Sequence, residues 1–189
     1  MRSRSLALVI AAFAFALFVP SLGYVYLGSL YAILFSIGYL GGFGLWLVAP
    51  QGTSWLAIRG PFLLTMAAFL VLHKVEENRM AFFDAVSARI THLPSPEVSF
   101  GLLVALLVVP VSAWLAVPLL AWRNWEFLRF LAWTFFASMG LTELAHFAMP
   151  VLANEPYGYF PGMASVFVLA PLAWWGMWRM WRSSDAKSA

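Results

Sequence analysis

The chain has 189 residues, 63% hydrophobic and 10% charged, with a formal net charge of +3. Soluble domains carry about 45–50% apolar and about 25% charged residues. This composition therefore argues against an ordinary water-soluble domain and points to the bilayer as solvent. The scattered basic residues leave no nucleic-acid footprint. The lack of cysteine rules out disulfides, thiolate metal sites and cysteine nucleophiles.

Crossing about 30 Å of hydrocarbon takes roughly 20 helical residues. Such stretches recur from about Leu6 to Leu22, Gly28 to Val48, Pro61 to Phe83, Phe100 to Trp122, Phe127 to Met149 and Pro161 to Trp181. Gly and Pro punctuate the junctions, among them Gly23, Pro50, Pro94 and Pro150. The expected fold is all-α: a polytopic transmembrane helical bundle of about six spans. It forms a single domain over residues 1–182, and residues 183–189 read as a short polar, disordered tail.

With the N-terminus inside, the inner segments collect Arg2, Arg4, Arg59, Arg123, Arg129, Arg179, Arg182 and Lys187. Only Lys74, Arg79 and Arg89 fall elsewhere, so the positive-inside rule places both termini inside. The first span has features of a signal peptide, a basic start and a Ser21-Leu22-Gly23 stretch. We read it as a retained helix, because its removal leaves an odd number of spans. Gly38, Gly41, Gly42 and Gly44 read as close helix packing in the second span.

The third span ends in His73-Lys74-Val75-Glu76-Glu77-Asn78, and the fifth carries Thr142-Glu143-Leu144-Ala145-His146. Each charged side chain inside a membrane costs about 2.5–3.5 kcal/mol on insertion scales. At about 100° per residue, Glu76 lies about 60° to one side of His73 and Glu77 about 40° to the other. Asp84 falls near the same face, while Lys74 points about 100° away. Glu143 and His146, three apart, share a face. The third and fifth spans run parallel in this topology. A rise of 1.5 Å per residue puts His73, Glu76 and Glu77 at roughly 18–24 Å from the inner end, and Glu143 and His146 at roughly 20–28 Å. The two groups therefore meet in the outer half of the membrane.

Imidazole and carboxylate donors suit Zn, Fe or Mn, and Glu-x-x-His on helices occurs in carboxylate-bridged di-metal bundles. The expected metal ligands are His73, Glu76, Glu77, Glu143 and His146, with Zn or Fe favoured over Mn. Glu143 and Glu77 are the catalytic candidates. Asp84, Asn78, Thr142 and Tyr159 are expected to line the site or orient its ligands. His92 reads as a solvated loop residue. Asn124-Trp125-Glu126 and the Trp174, Trp175, Trp178 and Trp181 group read as interface anchors.

His73-Lys-Val-Glu76-Glu77 resembles the His-x-x-Glu-Glu signature of the HXXEE-domain proteins, a family of bacterial integral membrane proteins. In that family a later helix carries a second His, and a short loop with an aromatic-x-Pro-Gly element opens the last helix. Here His146 is followed by Tyr157-Gly-Tyr159-Phe160-Pro161-Gly162, which is similar to that element. The resemblance covers roughly Pro61 to Trp181. It implies a bacterial inner-membrane location and groups these residues into one site. Relatives often have an amide where this chain has Glu143, so the resemblance supports His146 more than Glu143. The family has no settled activity.

The leading expectation is a membrane-embedded metalloenzyme, hydrolytic or oxidative, acting on a lipid or other hydrophobic molecule. Two alternatives remain open. One is a transporter or ion-binding protein moving protons or divalent cations; the other is a metal-free isomerase or cyclase using its carboxylates as acid and base. No internal repeat marks a transporter. Nucleic acid is not an expected partner, and a homo-oligomer is compatible with the sequence.

Overall fold

The computed structural model describes residues 4–97, 99–104, 108–123, 125–153 and 155–182. Arg2, Lys187, Asn124, Asn154 and the tail lie outside the described residues. The described residues are helical, with no β-strand among them.

Helix α1 (Leu6–Leu27) begins where the Ser5 hydroxyl accepts the Leu8 N–H at 3.3 Å, which satisfies one orphan donor of the first turn. It ends at Gly28, whose φ of 88° turns the chain directly into α2 (Ser29–Val48). Helix α3 spans Trp55–Arg79. Its first part is α-helical to Ala67, Ala68–His73 is π-helical, and Lys74–Arg79 is α-helical again. Left-handed Ala81, φ 49°, breaks the chain before the short helix α4 (Phe82–Val86). Helix α5 is Val109–Leu119, preceded by a helical turn at Phe100–Leu103. Helix α6 spans Glu126–Leu152 with a π segment at Ser138–Thr142. Helix α7 is Met163–Arg182.

Four helices (α1, α2, α3 and α6) are long and apolar enough to cross a membrane. Helix α5 is apolar but has 11 described residues. Helix α7 is long enough, but its tryptophans and arginines dilute its hydropathy. The third span begins earlier than its sequence pattern suggested, at Trp55, and stops at Arg79 rather than Phe83. The Ala81 turn accounts for that stop, because a non-glycine residue in the left-handed region interrupts the helix.

Helix α6 is the central element: 56% of its apolar window is buried, against 28% for α1 and α2. Lipid gives helices no hydrophobic reason to associate, so close packing and polar contacts must hold them together. A Cβ on Gly42 would sit 2.6 Å from Thr134 Cα, and one on Gly176 would sit 2.1 Å from Phe136 Cε1. Both glycines therefore let α6 approach within a side chain's thickness; in α2 the expected close packing holds at Gly38 and Gly42, whereas a Cβ on Gly41 or Gly44 would meet nothing within 4 Å.

Contacts along the axis fix the helix directions. Arg129 of α6 donates to Thr53 O, just before α3, at 2.9 Å. Further along, the Phe62 and Phe135 rings lie 4.5 Å apart, and His73 meets Glu143. The order is the same on both helices, so α3 and α6 run parallel. Helix α7 runs against them, with Thr53 bonded to Met180 O and His73 to Ser165. These directions bring the C-terminal parts of α3 and α6 together beside the start of α7.

Candidate metal centre

Four side chains converge. His73 Nε2 lies 3.1 Å from Glu143 Oε2 and 3.4 Å from Glu77 Oε1. His146 Nε2 lies 3.2 Å from Glu143 Oε2 and 3.6 Å from Glu77 Oε1. One donor atom from each residue lies within 4.8 Å of every other. With metal–ligand distances of about 2.0–2.1 Å, the edge of a tetrahedron is roughly 3.3–3.4 Å. The four contacts bracket that value.

The other ring nitrogens are both donors. His146 Nδ1 lies 2.5 Å from Pro161 O. A carbonyl only accepts, so Nδ1 carries the proton. His73 Nδ1 lies 2.9 Å from Ser165 Oγ. That hydroxyl already donates to Gly162 O at 3.0 Å, so it accepts from His73. In the neutral form each imidazole turns an Nε2 lone pair toward Glu77 and Glu143, and in the protonated form each donates Nε2–H to these carboxylates, which only accept. His73 Nε2 is buried and faces Glu143 and Glu77. Two carboxylates beside two imidazoles in apolar surroundings call for positive charge among them, which a bound cation or protons on Nε2 would supply. Nδ1–H bonds to a backbone carbonyl or a hydroxyl are also what orient metal-ligating histidines.

Local backbone form supports this convergence. His73 ends one π segment, and Glu143 follows another, its N–H bonding Ser138 O at 3.2 Å. A π turn adds a residue to the helical circuit and re-aims the side chains beyond it; such bulges recur at functional sites. At Gly162, φ is 95° and a Cβ would fall 2.3 Å from His146 Nδ1 and Cε1. Only glycine allows the imidazole to lie so close to this backbone.

Glu76 is directed elsewhere. Its Oε1 accepts the Gly162 and Ala164 N–H groups at 3.1 Å each, and its Oε2 accepts the Ser165 N–H at 2.7 Å. The Tyr159 hydroxyl also donates to it. Partial burial and this bond hold the Tyr159 phenol above its ordinary pKa, so it stays a donor. Glu76 therefore caps the N-terminus of α7, where an anion meets unpaired N–H groups and the positive end of the helix dipole. It sits beside the cluster without entering it.

Asp84 and Asn78 are exposed and also stand outside the cluster. Thr142 donates to Leu34 O at 3.1 Å, a helix–helix bond, although it also lines the neighbouring cavity. Tyr159 touches the site only through Glu76. His92 is exposed, in a left-handed turn. Trp174 does more than face the interface: its indole N–H bonds Gly140 O at 2.7 Å inside the α6 π segment.

Periodicity missed two participants. Lys74 reaches Glu77 Oε2, because its long side chain bends back across the angle that separates their helical positions. Ser165 orients His73; its only trace in the sequence is a lone hydroxyl in the apolar first half of α7.

A cavity of about 130 Å³ adjoins the cluster. Lys74, Glu77, Glu143 and His146 contribute to its wall, and Tyr31, Phe82, Phe83 and Trp114 make much of the rest apolar. No family model matches the chain, and neither does any curated protein or solved structure.

Proposed function

We propose that this protein is a small integral membrane metalloenzyme. It holds a divalent ion, zinc or iron in preference to manganese, between His73, Glu77, Glu143 and His146, and acts on a lipid or other hydrophobic molecule in the adjoining cavity. The observation that carries this reading is the convergence of one donor atom from each of the four residues within 4.8 Å, with both Nδ1 atoms bonded elsewhere so that both Nε2 atoms face the carboxylates. The mixed nitrogen and oxygen donor set suits those metals. A bound ion there would polarise a substrate oxygen or lower the pKa of a water; hydrolysis and oxidation both fit. His73, enclosed behind the others, holds the ion from the rear. Glu77, Glu143 and His146 face the cavity, which gives one of the carboxylates room to act as general base.

In this reading the chain is an HXXEE-domain protein of a bacterial inner membrane. It crosses about six times, with α5 and α7 completing the bundle. The arginines at one end of the bundle, Arg4, Arg129, Arg179 and Arg182, support placing both termini inside.

A second reading replaces the ion with protons, leaving a metal-free acid/base site; the Lys74 bond that already neutralises Glu77 favours it. Elemental analysis of protein purified in mild detergent separates the two. Wild type should carry stoichiometric zinc or iron, and His73→Ala should not. Equal, background metal in both would rule out the metal reading.

A further inference from the structure

We infer that the cavity beside the centre takes a single-chain amphiphile with a carboxylate head, seated between the metal ion and Lys74. This rests on the metal reading above.

The first support is placement. Lys74, Glu77, Glu143 and His146 line the cavity, whereas His73 is fully buried behind them. The ion's open side therefore faces the cavity, and the Lys74 ammonium shares that space.

The second is charge. Two carboxylates balance a divalent ion, and imidazoles that ligate it are neutral. Lys74 then adds one uncompensated positive charge. Its ammonium has three donors; Glu77 Oε2 takes one, and its carbon stem lies against Phe69, with Nζ 5.1 Å from the ring centroid. Its side chain is 42% exposed, so the remaining donors have room for a partner. Surplus charge at membrane depth is costly unless paired. A monoanion balances it. A neutral lipid leaves the charge standing, and a phosphate monoester, at about −1.5 to −2, overshoots it.

The third is the wall. Tyr31, Phe35, Phe82, Phe83 and Met149 give the rest of the cavity an apolar lining. An engineered cavity of about 150 Å³ holds benzene. The space here, about 130 Å³, therefore suits the first methylenes behind a small head and not a second acyl chain.

The test uses the full chain in nanodiscs of zwitterionic lipid at pH 8, zinc-loaded or chelator-stripped, with zinc measured on every sample. Equilibrium binding of isotope-labelled dodecanoate, dodecanol and dodecyltrimethylammonium is compared. Loaded wild type should bind dodecanoate at least about tenfold more tightly than dodecanol, and the ammonium more weakly than either. Stripping the zinc should abolish the preference. Lys74→Met should reduce it severalfold at unchanged zinc content. Dodecanol or the ammonium binding as tightly as dodecanoate to loaded wild type would overturn the inference, and so would an undiminished preference in zinc-loaded Lys74→Met. The wild-type comparison decides even if that variant fails to fold. Loaded protein without the preference sinks this inference alone; protein that takes up no zinc sinks the metal reading with it.

Discussion

The bundle carries a polar cluster toward each end, and the two are built on opposite principles. At the end that the proposed topology places inside, Glu126 accepts from Arg4 at 3.3 Å, from Trp46 at 3.1 Å and from Arg129 at 2.6 Å. Arg4 also caps the end of α2 by donating to Leu47 O at 3.0 Å and Ala49 O at 3.1 Å. In these contacts donors meet acceptors, so the arrangement is complete without a guest. At the end that topology places outside, two imidazole Nε2 atoms and two carboxylates face one another, with Lys74 bonded to Glu77. The inner cluster joins helices; the outer one gathers four donors that could hold a metal ion. Both would look alike in a count of buried charges; what separates them is that the outer one brings four possible metal donors within 4.8 Å of one another.

Substitutions should separate them as well. The largest effect on metal is expected from Glu143→Gln, which removes a carboxylate shared by both histidines: zinc affinity should fall by more than the roughly 10–100-fold typical of outer-shell changes, as read by competition with a chelating dye. Ser165→Ala should fall within about 10–100-fold, with little change in thermal unfolding, because only the orientation of His73 is released. Arg4→Ala should reverse the pattern. Metal content stays at the wild-type level, while stability falls by about 2 kcal/mol through lost charged hydrogen bonds, read from thermal unfolding in detergent. Glu76→Gln is the mildest, costing about 1 kcal/mol of cap and dipole energy and leaving metal affinity within a few-fold. A collapse of metal binding in Glu76→Gln would return Glu76 to the ligand set and blur the distinction.

Much of the outer cluster is legible in the sequence. His73 and Glu77 stand four apart and Glu143 and His146 three apart, and both pairs interrupt clean apolar runs. Parallel spans of matched depth then bring them together. Glu76 is where that logic fails. Helical angle places it on the same face as His73, about 60° away against about 40° for Glu77, but angle alone does not register the unpaired N–H groups of α7 arriving on its side. The π segments at Ala68–His73 and Ser138–Thr142 have no simple signature either, since they arise from packing between helices far apart in the chain. Ser165 and Lys74 enter for the same reason: their roles depend on which neighbour is close. The inner cluster was hidden differently. Arg4 and Glu126 lie 122 residues apart, and an interfacial charge reads as a topology marker until its partners are known.

The central claim is that both Nε2 atoms and the two carboxylates share one ion. X-ray absorption at the metal edge of the loaded protein tests it most directly. The account predicts a shell of nitrogen and oxygen at about 2.0–2.1 Å with the outer scattering of two imidazoles, reduced to one in His146→Ala. A shell without imidazole scattering, or one unchanged in that variant, would contradict it.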